Sequence, residues 1–282
     1  MLTRAKVLLN WILGEAAALP LRVLARQQRG EIIEAMAGAM VSDVHAGDHR
    51  LRFATPTPLL QGRADAALLK EPDTIRWIEG FEAGDVFWDV GANVGTFSIF
   101  AAALRGTRVL AFEPSAGNYA VLCGNIELNS LAQKITPYCI AFSGTTRLGV
   151  LNSESRIVGA ALHQFGEPGQ SSRYWPNAKG VCVQGMIGFG IDDFIKRFAP
   201  PFPGHLKLDV DGSELDILRG ASVALSDKRL RSVMVELPVS DADERTSALA
   251  LMADAGFELS AKGELQRSAG AAAANHFFTR RR

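Results

Sequence analysis

The stretch Val86-Phe87-Trp88-Asp89-Val90-Gly91-Ala92-Asn93-Val94-Gly95 decides how this chain is read. An apolar strand over Val86 to Val90 runs straight into a small-residue turn, and a helix is expected from Gly95 to Leu104. Nucleotide-like ligands need that succession of elements. Gly91 permits a tight turn with its backbone close to a ligand, Gly95 lets the helix start lie near the strand, and the helix N-terminus presents free amides. Twenty-two residues beyond Gly91, Glu113 ends a second strand, Arg108 to Phe112, where a carboxylate can accept hydrogen bonds from both ribose hydroxyls. Together the two features specify an adenosine site.

The turn also narrows the ligand. A dinucleotide fingerprint, Gly-x-Gly-x-x-Gly, needs a second glycine to make room for pyrophosphate, and Asn93 stands there instead. Asp89 opens the turn with a negative charge, which suits an amino group better than a phosphate. S-adenosylmethionine carries an amino acid tail and no phosphate, so it fits. Two alternatives stay open on these residues: a nicotinamide-dependent oxidoreductase, and a non-catalytic domain that binds the same ligand.

Outward from this segment the chain alternates strand-like and helical runs, the signature of a doubly wound, mostly parallel α/β sheet with helices on both faces. A second helix is expected from Ala116 to Asn129 and a third strand from Ile135 to Phe142. Leu148 to Leu151 reads as a short extra strand. Residues 152–190, rich in glycine and proline, read as a mostly irregular excursion, the candidate substrate lid. Alternation then resumes with strands at His205 to Val210 and Ser232 to Leu237 and helices at Ser213 to Leu225 and Asp241 to Ala255. Phe257 to Ala261 and His276 to Thr279 would close a seven-stranded sheet, with Ala269 to Ala274 as a hairpin loop. Before the sheet, Leu2 to Val44 reads as two helical stretches broken at Pro20, followed by a strand at His49 to Ala54. The expected division is a helical accessory region over 1–60 and a catalytic domain over 61–282.

Composition sets outer limits. The 282 residues are 48% apolar, enough for a sizeable core, and 30 basic residues offset 30 acidic ones. That balance leaves no global basic field for nucleic acid. Cys123, Cys139 and Cys182 form no Cys-x-x-Cys pair, and reduced thiols in the cytoplasm are the expected state. Arg4, Lys6, Arg22, Arg26 and Arg29 against Glu15 give residues 1–30 a basic bias. This segment can pack on the domain, touch a membrane surface peripherally or mediate a homodimer.

Asp89-Val90-Gly91-Ala92-Asn93-Val94-Gly95, followed by Phe112-Glu113-Pro114-Ser115, resembles the FkbM-type methyltransferases. The block His205-Leu206-Lys207-Leu208-Asp209-Val210-Asp211-Gly212-Ser213-Glu214, continuing through Leu218-Arg219-Gly220-Ala221, and the run Ser232 to Leu237 with Val235-Glu236 carry the resemblance further. It covers roughly residues 69–240 and implies a class I methyltransferase fold, S-adenosylmethionine as donor and O-methylation of sugars or secondary metabolites. Asp89, Gly91, Ala92, Asn93 and Gly95 would then line the methionine half of the cofactor, Glu113 with Pro114 beside it the ribose, and Phe142 and Ser143 the adenine. Many members have an acid after that serine, where this chain has Gly144.

The second block supplies candidate chemistry. An aliphatic hydroxyl must lose its proton as it is methylated, and Asp209, Asp211 or Glu214 near the end of the fourth strand can act as the base, with Lys207 holding these acids ionised. The same acids can instead ligate a magnesium ion or cap the helix from Ser213, and a metal is not the favoured reading. His163, in the expected lid, is a second candidate base because imidazole titrates near neutrality. Other motifs carry less. Gly47 between His45 and His49 argues against a helical metal pair, and neither Ser115 nor Ser143 sits in a Gly-x-Ser-x-Gly elbow.

Overall fold

The structure, a computed structural model, describes residues 26–153, 155, 157–161, 163–168, 182–268 and 271–281. Two compact units divide the chain between Val41 and Ser42. Helix α1 (Arg26–Ala39) is the described element of the smaller unit, and the break expected at Pro20 lies outside the described residues.

Strands β1 (Val41–Ala46) and β2 (His49–Ala54) pair into a two-stranded sheet, so Val41 to Val44, expected to be helical, is extended. Alternation explains it: Leu51 and Phe53 are buried while Arg50 and Arg52 are exposed. Helix α2 (Pro58–Asp65) follows, with Thr57 Oγ1 accepting from the Leu60 amide and Pro58 at the first helical position. Helix α3 (Pro72–Glu79) leads into the main sheet.

Next come β3 (Val86–Val90), α4 (Thr96–Leu104), β4 (Arg108–Phe112), α5 (Ala116–Leu128) and β5 (Ile135–Tyr138). The third strand expected from Ile135 to Phe142 is thus broken: its last two residues form β6 (Ala141–Phe142), which belongs to a second sheet. That sheet also holds β7 (Arg147–Ser153), β8 (His163–Gly166) and β9 (Cys182–Phe189), in the order β6-β9-β7-β8. The expectation of an irregular excursion over 152–190 is corrected accordingly for the described residues. Gly188 misled because it leaves room for the Phe165 ring, where a Cβ would collide, and does not mark a turn.

The chain returns to the main sheet through α6 (Ile191–Phe198), β10 (His205–Leu208), α7 (Glu214–Arg219), α8 (Ser222–Ser226), β11 (Ser232–Pro238), α9 (Ala242–Asp254), β12 (Phe257–Ser268) and β13 (Ala271–Arg280). One helix was expected from Ser213 to Leu225. It is two, because Gly220 passes so close to the Ser143 and Gly144 carbonyls that its Cβ position lies 2.8 Å from each oxygen. The last hairpin is longer than expected, and Ala271 to Ala274, read as loop, pair in β13.

The seven strands of the main sheet run β12-β13-β11-β10-β3-β4-β5, parallel except for β13. Both faces are covered, which is why β3 and β4 read as near-continuous apolar runs. Trp88, Val90, Leu110 and Phe112 enter one cluster with residues of α6 to α9, and Phe87, Val109 and Ala111 enter another with residues of α3 to α5. Each large side chain so buried contributes about 1.5–3 kcal/mol. Among the described residues no helix is long and apolar enough to cross a membrane.

Candidate active site

The chain steps outward from β3 through β4 to β5 and then returns to β10 on the other side of β3. At such a reversal the loops leaving adjacent strands diverge and open a crevice at the strands' carboxyl ends. A cleft of about 1380 Å³, counting its open mouth, lies there. Gly91, Ala92, Asn93, Glu113, Asp209 and Glu236 are among its lining residues.

Its floor is the turn after β3. Gly91 has φ +83°, and a Cβ there would land on the Asp209 carbonyl oxygen, so the close approach of the β3 and β10 ends requires glycine. Gly95, at φ +89° and just before α4, packs its bare Cα against Leu122. Asn93 is left-handed as well, at φ 50°. That conformation aims its amide at Glu113 Oε2 (2.8 Å), while Glu113 Oε1 accepts from the Ser115 amide (3.0 Å). Glu113 is 3% exposed and lines the cleft. Burial pushes its carboxyl up to about 7, against the hydrogen bonds from Ser115, Asn93 and Asn118.

Behind the turn lies a charge cluster. Lys207, on β10 and 1% exposed, holds its Nζ 2.8 Å from Asp209 Oδ2 and 3.5 Å from Asp89 Oδ1, and 5.3 Å from the centre of the Phe97 ring. Burial alone would lower the ammonium, but Asp209, Asp89 and Glu71 outweigh it and hold it above the ordinary lysine range. The reciprocal effect holds Asp209 below the usual carboxylate range: burial opposes ionisation, and Lys207 wins. Asp89 is fully buried, accepts from Ser98 Oγ at 2.6 Å and does not line the cleft.

With Asp209, the cleft-lining Asp211, Glu236 and Glu71 form an acidic rim. Glu236 is pushed well above the carboxylate range, first by burial and then by Asp209, Asp211, Glu214 and Glu71. Asp211 is left-handed at φ 63°. Glu214 is turned inward: it is fully buried, accepts from the Val210 and Gly212 amides (2.8 and 3.0 Å) and is absent from the lining. Burial raises it to about 8.

A short segment closes one side. Asn118 accepts from the Gly159 amide (2.7 Å), Asn118 and Asn93 both donate to the Ala160 carbonyl (3.0 and 3.1 Å), and Arg63 Nε donates to the Gly159 carbonyl (2.5 Å). His163 lines the cleft with Nε2 3.4 Å from Asn118 Nδ2, and burial lowers its pKa.

A family model described as the methyltransferase FkbM domain matches residues 89–259, more than half of the chain and most of the residues that line this cleft. The chain belongs to the FkbM methyltransferase family. Membership sets aside the oxidoreductase alternative. Among relatives, the FkbM segment is similar to the hexuronic acid methyltransferase AglP of Haloferax volcanii, at 28% identity over 169 residues covering 59% of this chain and 62% of AglP. It is also similar to the AMB antimetabolite synthetase AmbE of Pseudomonas aeruginosa, at 28% identity over 207 residues covering 62% of this chain and 10% of AmbE. The chain therefore spans less than two thirds of the length of these relatives. Among solved structures, the precorrin-6y C5,15-methyltransferase of Geobacter metallireducens aligns with TM-score 0.43 and 15% identity, covering 81% of this chain and 93% of that one.

Of the residues singled out in the sequence of this FkbM protein, the cleft brings together Gly91, Ala92, Asn93, Glu113, Pro114, Phe142, His163, Lys207, Asp209 and Asp211. It does not bring in Asp89, Gly95, Ser143 or Glu214, which support it from behind; Ser143 Oγ, for instance, donates to the Thr145 carbonyl at 2.7 Å. Sequence reading missed Arg63, Lys70, Glu71, Phe97 and Glu236 as lining residues. Only Glu236 carried a signal, the one charged residue in a mostly apolar strand. Among the described residues no group of three or more His, Cys, Asp or Glu side chains is arranged to hold a metal ion.

Proposed function

We propose that this FkbM methyltransferase transfers a methyl group from S-adenosylmethionine to a hydroxyl oxygen of a sugar, glycan or secondary metabolite. The observation that carries the reading is one cleft lined by two sets of groups: the glycine turn with Glu113, and the acids Asp209, Asp211 and Glu236. Features of the first set fit the donor. Gly91 brings the turn's backbone to the cleft, Glu113 offers a carboxylate where a ribose edge would lie, and Asn93 Oδ1 is buried with no hydrogen-bond partner among the described residues. Gly91, Ala92 and Asn93 would hold the amino acid tail, Glu113 the ribose and Phe142 the adenine. When bound, the sulfonium supplies an electrophilic methyl group and a neutral thioether leaving group.

The chain's residues would supply orientation and a proton acceptor. Asp209, kept ionised by Lys207, can accept the acceptor hydroxyl's hydrogen bond and aim its oxygen. A carboxyl held low is a weak base, however, so Asp209 suits positioning better than deprotonation. Glu236, raised by burial among like charges, is the stronger base of the two once ionised. The sugar class is supported by the named activity of AglP, at 28% identity.

The test is incubation with methyl-labelled S-adenosylmethionine and a panel of glycosides and uronosides, followed by mild alkali. An O-methyl ether keeps its label through alkali. Label released as methanol would mean a carboxyl ester, and no transfer from S-adenosylmethionine to any hydroxyl would overturn the proposal.

A further inference from the structure

Three cations line the cleft, and two are satisfied. Lys207 is paired with Asp209 and Asp89, and Lys70 lies 3.7 Å from Glu71 Oε1. Arg63, projecting from α2, is different. Its Nε donates to the Gly159 carbonyl, but no carboxylate lies within ion-pairing distance of it and its two Nη groups have no acceptor among the described residues. It is half-buried at the mouth that Asp209, Asp211 and Glu113 share, and burial depresses its pKa while those same acids, too far for pairing, support its charge.

A guanidinium half removed from water with its fork unfilled is an incomplete ion pair. The Gly159 bond fixes one edge of a guanidinium that lines the cleft. Balancing the acid rim does not explain this arrangement, because a balancing cation would be drawn into contact, as Lys207 is. Arg63 also lies outside the 89–259 segment matched by the family model, so nothing in the family's own block assigns it a task.

We propose that Arg63 is a ligand-binding residue that grips a carboxylate in the cleft. This rests on the donor reading above, and the carboxylate has two sources: the amino acid tail of the donor, or an acidic acceptor such as a uronoside. Planar carboxylate and guanidinium meet through two parallel N–H···O bonds, which lysine cannot reproduce.

Calorimetry on the full chain separates the sources. Wild type, Arg63→Met and Arg63→Lys are titrated with S-adenosylhomocysteine, with decarboxylated S-adenosylmethionine, and with methyl glucuronoside beside methyl glucoside in the presence of S-adenosylhomocysteine. If the donor is gripped, Arg63→Met weakens S-adenosylhomocysteine by about ten- to a hundred-fold and leaves the decarboxylated compound within two-fold. If the acceptor is gripped, both donor compounds bind as in wild type, and the wild-type preference for the glucuronoside over the glucoside collapses in the variant. Arg63→Lys recovers only part of either effect. A merely structural role lowers the affinities of charged and uncharged ligands alike, and that result, or no loss with any carboxylate, overturns the assignment. Binding of S-adenosylhomocysteine to wild type is the separate check on the donor reading itself.

Discussion

Replacing Lys207 with methionine keeps the volume and removes the charge, and the consequences can be worked from the geometry. The ammonium sits 2.8 Å from Asp209 and 3.5 Å from Asp89 at 1% exposure. Without it two carboxylates share a buried space, with Ser98 the only donor left to Asp89 among the described residues. Deleting one partner of a buried ion pair costs about 3–5 kcal/mol, and for a unit of this size each kcal/mol moves the melting temperature by roughly 2–4 °C. Lys207→Met is therefore expected to melt roughly 6 to 20 °C lower near pH 8. The pH dependence separates this from a packing defect. In the wild type, Asp209 is held below its unfolded value, so its contribution is present above that value and is lost on acidification. In the variant, burial opposes ionisation of Asp209 with no Lys207 to offset it, which destabilises the fold at neutral pH and ceases to matter once that carboxyl is protonated. Urea melts across pH 8 to about 4.5 should show the two stabilities converging, and Lys207→Met/Asp209→Asn should recover at least half of the deficit. A deficit under about 1 kcal/mol at pH 8, or one that widens as pH falls, refutes the reasoning.

Other expectations follow from single residues. Gly91→Ala should lose about 3 kcal/mol or more, from left-handed strain plus collision with the Asp209 carbonyl, and should no longer bind S-adenosylhomocysteine; thermal melting and calorimetry check both. His205 is lowered to about 4, chiefly by burial, while it bonds to Ser232 and Asp85. Because the unfolded chain takes up its proton near 6.5, wild type should lose up to about 3 kcal/mol between pH 6.5 and 4, a slope that His205→Gln should flatten in urea melts. Glu113, raised to about 7, must be ionised to accept from a ribose, so S-adenosylhomocysteine affinity should rise with pH through 7 with release of a proton below it. Calorimetry at pH 6 in buffers of different ionisation enthalpy measures that proton, and its absence would contradict the role.

How much of this was legible in the sequence depends on the range of the interactions involved. The strands β3, β4, β10 and β11 were readable because strands buried on both faces must be apolar throughout, and Glu113 was readable because a turn and a short helix fix its distance from Gly91. Arg63, Lys70 and Glu71 were not. They reach the cleft from α2 and the turn after it by tertiary packing, and no local pattern marks a side chain for a site built more than twenty residues later. Asp89 and Glu214 failed in the opposite sense: their positions at strand and turn ends matched a ligand-facing role, but one pairs with Lys207 and Ser98 and the other with the amides of its own turn. Sequence shows which acids gather at an edge. Which of them turn outward is set by the partner each finds behind it.

The central claim is that one cleft seats the donor with its ribose on Glu113 and its sulfur facing the acid rim. A crystal structure with S-adenosylhomocysteine tests it most directly. The account predicts both ribose hydroxyls within hydrogen-bond distance of Glu113 and the thioether sulfur pointing toward Asp209, Asp211 and Glu236; a ligand bound elsewhere, or seated here with its ribose away from Glu113, would contradict it.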